Sequence, residues 1–333
     1  MLGGASAASA QSGTINPADW AAYKSRFIDE GGRVIDDANA HISHSEGQGY
    51  GLLLSYLADN RADFDLIWSF TRTEFMLRDD GLAVWKWDPS ATPHVTDANN
   101  ASDGDILIAY ALALAGKAWA RNDLTSAATS IARATGKISV VENQGRSLLL
   151  PGAKGFSADE RSDGPIVNLS YWVFEAFPVL AELAPETDWA GLSDEGTQLI
   201  VSARLGPKKL PPDWLSLKTR PKPATGFAAE FSYNAIRIPL YLLRAGSRDA
   251  ALLEPFRAAM TNSGATIDIA TGDPRDTLSD AGYRIIPALI SCVLEGEKLP
   301  IDTKTFAPTL YYPSTLQLLG LSFAAEKHPE CLS

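Results

Sequence analysis

Along this chain apolar residues recur at i, i+3 and i+4 far more often than they alternate, which is the spacing of one helix face. Leu107, Tyr110, Ala111 and Leu114 form one such set. The pattern predicts helices at roughly 17–28, 46–59, 62–78, 103–121, 124–136, 168–184, 191–205, 230–245, 248–263, 277–294 and 313–326. Strand patterns are few: "GLAVWKW" at 81–87 alternates, and "GRSLLLPG" near 145 could pair locally. No β-helix-β alternation appears, so a doubly wound parallel sheet is excluded. No 30–50-residue period repeats, which argues against a solenoid. The expected organisation is all-α, with a tail over 1–16 and a single domain over 17–333.

One predicted helix begins strangely. "HSEGQGYGLLLSYLAD", residues 44–59, carries Gly47, Gly49 and Gly51 where its first turns should lie. Each costs about 1 kcal/mol against alanine in a helix interior. Glu46 stands just before them. It can simply complement the helix dipole. A phosphate-binding turn is disfavoured, because the spacing is G-x-G-x-G and no lysine follows. The third reading is that backbone or substrate approaches closely here, with Glu46 facing what approaches.

The stretch 85–119, "WKWDPSATPHVTDANNASDGDILIAYALALAGKAW", brings Asp97, Asp103 and Asp105 to the start of an apolar helix. Capping and dipole complementation account for Asp103 and Asp105 alone. They leave "DANN" and the pair Trp85 and Trp87 unexplained. The two indoles would share one side of an extended segment, and indoles beside amides and carboxylates suit a sugar cleft. Core packing competes, since large aromatics are mostly buried. Tyr233, Asn234 and Arg237 interrupt an apolar helix, with Asn234 and Arg237 able to share a face. "NLSYWVFEAF" (168–177) and "YYPSTLQLLGL" (311–321) likewise open helices with polar or aromatic groups. In a ring of helices such ends would line one opening.

Composition narrows the partners. A net charge of −11 and a pI near 4.9 argue against nucleic acid. No apolar run approaches the roughly 18 residues that span a bilayer, so no membrane insertion is expected. "ASAASA" before Gln11 resembles the cleavage region of a secretory signal without its charged and apolar parts, and export is inferred on that basis. Cys292 and Cys331 form either one disulfide or two separate thiols. The four histidines lack ligand spacing, so no metal site is expected. The loop 205–226 contains five prolines, and loops of that length are usually functional or mobile.

"SEGQGYG", "NNASDGDILIAYAL", "NLSYW", "FSYNAIRIPLYL" and "YYPSTLQLLGL", in that order, resemble glycoside hydrolase family 8, and within it the bacterial endoglucanases associated with cellulose synthesis. "ASDGDILIA" matches the family's A-[ST]-D-[AG]-D-x-x-[IM]-A segment, and the likeness runs from about 20 to 325. The resemblance implies an (α/α)6 barrel with substrate in a groove across the helix ends. It implies inverting hydrolysis of β-1,4-glucan, without a cofactor, by two carboxyls roughly 6.5–9.5 Å apart. It points to a periplasmic or secreted protein with a cellulose synthase and export apparatus as a partner. Glu46 matches the general acid, and Asp103 the aspartate that holds the distorted sugar. Trp85 and Trp87 are expected to stack on sugars, and Asn100, Tyr171, Arg237 and Tyr283 to shape the cleft. On this reading the glycines let the glucan approach, and Asp103 with a shielding Trp85 or Trp87 raises the Glu46 pKa against the helix dipole.

One position departs. Many members have aspartate as general base where this chain has Asn234. An amide offers no basic lone pair of useful pKa. Either the base was removed by engineering, or it lies elsewhere, or the chain binds glucan without cleaving it. Glu230, Asp97 and the acidic loop 157–164 (Asp159, Glu160, Asp163) are the alternative bases. A chitosanase or xylanase keeps the chemistry and changes the sugar.

Overall fold

The computed structural model describes residues 11–333. The run Ala5–Ala10, read as a cleavage region, lies outside the described residues, as does most of the expected tail. The tail ends earlier than expected. Ile15 is buried, and the Thr14 and Ile15 N–H groups donate to the Leu57 carbonyl at 2.8 and 3.1 Å.

Twelve helices occupy the described residues, and they alternate between two rings. The outer ones are α1 (Pro17–Phe27), α3 (Arg61–Glu74), α5 (Asn122–Ser139), α7 (Trp189–Ser202), α9 (Ala250–Ser263) and the short α11 (Ile301–Lys304). The inner ones are α2 (Ser45–Leu57), α4 (Ser102–Ala118), α6 (Phe177–Leu183), α8 (Ile238–Arg244), α10 (Ala281–Glu295) and α12 (Tyr311–Lys327). The inner ring closes on itself: α12 packs on α2, α2 on α4, α4 on α6, α8 on α10, and α10 on α12. Between α6 and α8 the link is made by two 3-10 turns, Leu169–Tyr171 and Ala235–Arg237. This is an (α/α)6 barrel.

Sequence assigns each helix to its ring. In α3 the buried residues Phe64, Ile67, Trp68 and Thr71 follow one stripe. In α2 every residue except Glu46 is buried, and in α4 the run Ser102–Gly116 is buried throughout. A helix apolar all round has to sit inside.

The glycines of α2 explain how two such helices fit. A Cβ on Gly49 would lie 2.6 Å from Leu107 Cβ and 3.2 Å from the Ile108 nitrogen of α4. One on Gly104 would lie 2.1 Å from Ser45 Oγ. Gly49 thus serves α2–α4 packing, Gly51 leaves room for the Val34 and Ile67 side chains, and Gly47 sits against His44 and Tyr311. The close approach at this helix start is by neighbouring parts of the chain.

Two expected helices start late. Residues 168–176 follow the strand Ile166–Val167 and form the turn Leu169–Tyr171, with Asn168 Oδ1 accepting the Ser170 N–H at 3.1 Å; α6 begins next to Pro178. Residues 230–237 form a strand and the turn Ala235–Arg237, and Pro239 sits at the start of α8. In both cases proline suits the first helical turn and forbids an earlier start.

Short strands trim the rim. β1 (Ser43–His44) pairs antiparallel with β2 (Lys86–Trp87), the hairpin of β3 (Val140–Asn143) and β4 (Arg146–Leu149) matches the local pair expected near 145, and β5 (Ile166–Val167), β6 (Leu215–Ser216) and β7 (Lys222–Pro223) form one sheet. β8 (Glu230–Phe231), β9 (Ala265–Asp268) and β10 (Pro274–Thr277) form another. The proline-rich loop is thus pinned at two points, by β6 and β7, to the sheet begun by β5. Cys292 and Cys331 are bonded, tying α10 to the C-terminal turn across 39 residues. No helix among the described residues is long and apolar enough to cross a membrane.

Candidate active site

The N-terminal ends of the inner helices open into a cleft of about 710 Å³. Its floor is a charged triad. Arg237, almost wholly buried at the end of its 3-10 turn, donates from Nη1 to Glu46 Oε2 at 2.5 Å and from Nη2 to Asp103 Oδ2 at 2.6 Å. Its Nε donates to the Ser170 carbonyl at 3.3 Å. Asp103 Oδ1 accepts the Gly104 N–H at 2.8 Å, so its carboxylate is fixed by both main chain and guanidinium. His44 caps α2, its Nδ1 accepting the Gly47 N–H at 3.0 Å, with Nε2 3.4 Å from Asp36 Oδ2. A buried ion triad of this kind is stable only when all partners are present.

The electrostatics reverse one expectation. Burial pushes Glu46 up, but the Arg237 guanidinium and His44 more than offset it, leaving this carboxyl below its ordinary value. Burial pushes Asp103 up to about 7 against the pull of Arg237, and the neighbouring Glu46 charge adds to the rise. Of the two neighbouring carboxyls, Asp103 is thus the one whose surroundings favour holding a proton in the free site.

The other expected residues divide. Trp85, Tyr171, Asn234 and Tyr283 line the cleft with the triad. Trp85 is held there by its indole N–H, which donates to Asp97 Oδ2 at 2.8 Å. Tyr171 lies under the Arg237 guanidinium, 5.7 Å from ring centre to Cζ. Trp87 does not join them. It is buried, donates to Glu74 Oε2 at 3.1 Å and packs on Phe70, His94 and Arg33. The strand that would align the two indoles covers only Lys86–Trp87, so Trp85 lies outside it. Asn100 is also structural: its Nδ2 donates to Asp105 Oδ2 at 2.8 Å and its Oδ1 accepts the Ala153 N–H at 2.7 Å. Asp105 further accepts the Ala83 N–H at 2.8 Å, so it anchors a loop.

None of the alternative bases lines the cleft. Asp97 is spent on Trp85 and the Asn99 N–H. Glu160 folds back onto Ser157 and Gly155, and Asp163 binds Arg161 and the Thr225 N–H. Glu230 belongs to β8, and Asp159 is exposed on its loop.

Sequence reasoning assigned no role here to Tyr312, Trp214 or Asp213. Tyr312 donates to the Tyr233 carbonyl at 2.6 Å, and Tyr233, Tyr283 and Tyr312 form one aromatic lip. Trp214 forms the other wall, stacked between Phe156 and Phe227. Asp213, beside it, contacts Asn234. The dipeptide Asp213-Trp214 inside the proline-rich loop was the available signal: a carboxylate next to an indole, in a loop singled out by length.

The chain is similar throughout its length to known proteins. The sequence profile described as "Glycosyl hydrolases family 8" matches residues 2–326. A probable endoglucanase of Novacetimonas hansenii is 33% identical over 340 residues, covering 98% of this chain and 97% of that protein. The structure of an endo-β-1,4-glucanase from Acetobacter xylinum superposes with a TM-score of 0.82 at 34% identity, covering 93% of this chain and 97% of that one. Endoglucanase Cel10 from Klebsiella pneumoniae gives a TM-score of 0.82 at 33% identity, with 94% and 99% covered.

Proposed function

The chain belongs to glycosyl hydrolase family 8, and from that premise we propose that it is an inverting endo-β-1,4-glucanase acting on cellulose-like chains. The observation that carries this reading is the buried Glu46–Arg237–Asp103 triad at the floor of an aromatic-walled cleft. Glu46 is the general acid. Asp103 takes hydrogen bonds from the sugar at the point of cleavage, and when a sugar hydroxyl replaces Glu46 as its partner, the shared proton passes to Glu46. Arg237 holds both carboxyls in place while that proton moves. Trp85 and Tyr283, with Trp214 and the tyrosine lip, offer faces on which pyranose rings stack. A water on the opposite side of the ring would lie at Asn234, the position of the usual base.

Similarity to endoglucanases along nearly the whole chain supports β-1,4-glucan over chitosan or xylan. The exo-oligoxylanase fold that also superposes does so at 17% identity, which speaks to fold alone. Residues 17–333 are read as one catalytic domain. The Cys292–Cys331 bond supports a periplasmic or secreted location, since such bonds persist in oxidising compartments. A role beside a cellulose-exporting apparatus rests on the sequence resemblance. The test is reducing-end release from carboxymethylcellulose by this chain and by Glu46→Gln. Release by the first and not the second supports the reading; binding without release by either supports the non-catalytic alternative.

A further inference from the structure

A carboxylate that nothing in the account so far uses lies directly behind Asn234. Asp213 is buried, in the loop between α7 and β6. Its Oδ1 accepts the main-chain N–H groups of Ser232 at 2.8 Å and Ala235 at 2.9 Å, the residues that bracket Tyr233 and Asn234. Its Oδ2 is 3.4 Å from Asn234 Nδ2, a long hydrogen bond that orients the amide. The Asp213 main chain is itself tied to Glu230 by an N–H donated to that carbonyl at 2.8 Å. Asn234 lines the cleft and Asp213 does not, so the amide stands between the cleft and the carboxylate. Asp213's partners are amide N–H groups and no guanidinium or ammonium, which leaves a carboxylate oxygen able to take up a proton.

We infer that Asp213 is the terminal proton acceptor of the hydrolytic step, acting through the Asn234 side chain. The inference rests on the hydrolase reading above. With Nδ2 directed at Asp213, Oδ1 is the amide atom left to accept a hydrogen bond from the attacking water. As the water oxygen bonds to the anomeric carbon, its proton passes to Asn234 Oδ1 while an Nδ2 proton passes to Asp213 Oδ2. The glycosidic C–O bond breaks, and its oxygen receives the Glu46 proton. Asn234 is left as the imidic acid tautomer and Asp213 as a neutral carboxylic acid. Reversal of the same two transfers, with release of one proton to solvent, restores the amide. No redox partner or co-reactant is needed. Burial raises the Asp213 carboxyl above its ordinary value, against the pull of its N–H donors, which suits a group that must hold a proton transiently. Asp213 is a positioning residue in this scheme, since it reaches the water only through Asn234.

Four proteins test it: the parent chain, Asp213→Asn, Asn234→Asp and the double variant, each assayed for kcat and KM on cellohexaose across pH. Asparagine at 213 keeps an Oδ1 acceptor for the Ser232 and Ala235 N–H groups, so the turn is retained. The expected result is a loss of about 100-fold or more in kcat for Asp213→Asn with KM nearly unchanged. Asn234→Asp should be active and insensitive to the same change at 213, because it holds its own base. If Asp213→Asn matches the parent, or if Asn234→Asp fails to rescue it, Asp213 serves the turn only and the proposal is overturned. If the parent is inactive while Asn234→Asp cleaves, the hydrolase scaffold stands and the role of Asp213 falls. If all four bind cellohexaose and none cleaves it, the hydrolase reading falls, and this one with it.

Discussion

The two rings of the barrel end their helices differently. On the outer ring four of six helices are capped, by Asn16, Asn60, Asp188 and Asp249, which accept main-chain N–H groups of the first turn at 2.8–3.0 Å, while α5 and the short α11 have no side-chain cap. On the inner ring only α2 has a side-chain cap, from His44; α4, α6, α8, α10 and α12 have none. The uncapped starts of α4, α10 and α12 lie at the cleft, as does the capped start of α2 with Glu46. The outer ring spends its polar residues on finishing helices, whereas the inner ring leaves N–H groups and dipole ends facing the space where carboxylates and sugar hydroxyls meet. Stability and chemistry have been assigned to different helix ends.

The largest expected effect of breaking this division is at Glu46. Glu46→Gln should lower kcat by about 10²–10⁴-fold, the usual worth of a general acid, and should lower the melting temperature as well, because it takes one anionic partner from the buried Arg237. A folded Glu46→Gln that keeps the parent kcat would make Glu46 a structural residue only. Next comes the cross-link holding α10. Replacing Cys292 and Cys331 by serine should cost about 2–4 kcal/mol, read by urea denaturation, while kcat at 25 °C stays near the parent value. At an outer cap, Asn60→Ala should cost about 1 kcal/mol and leave kcat and KM alone. Asp280→Ala, before the uncapped end of α10 and on the cleft wall, should do the opposite, moving KM with little loss of stability.

The pH dependence sharpens the contrast further. Asp103 and Asp105 both have folded values raised to about 7 by burial, well above the ordinary value of 3.8. Between those limits the folded chain holds protons that the unfolded chain has released, so the contribution of these two carboxyls is fully present below about pH 4 and is lost as pH rises through 7, opposite in sign to that of carboxyls such as Asp88, Asp123 and Asp268, which are held down by their partners. Activity should fall above about pH 7, where the proton shared by Asp103 and Glu46 leaves. Denaturation curves at several pH values and a kcat profile measure the two separately. A stability that rises between pH 4 and 7 would show that other groups dominate.

What the sequence disclosed follows the same division. Eleven of the twelve helices were readable, because an apolar stripe and an all-apolar helix are periodic signals that local sequence carries; the four-residue α11 is too short to show a period. Glu46, Asp103, Arg237 and Tyr171 were readable because each falls within a contiguous motif. Trp87 and Asn100 went astray because a sequence shows that an indole or amide is near a site without showing which way it points: β2 ends the alternation one residue short, and Asn100 is consumed by Asp105. Gly49 of α2 answered to α4, a helix far along the chain. Asp213 was missed for a like reason, since the 20 residues between it and Asn234 close up only when β6–β8 form.

The most direct test of the central claim is the stereochemistry of the first product. Cellohexaose incubated with the native chain and followed by proton NMR should show the α-anomer appearing first and mutarotating to the β-anomer, with no signal from Glu46→Gln. An initial β-anomer, or cleavage by Glu46→Gln at the native rate, would contradict an inverting site built on the Glu46–Arg237–Asp103 triad.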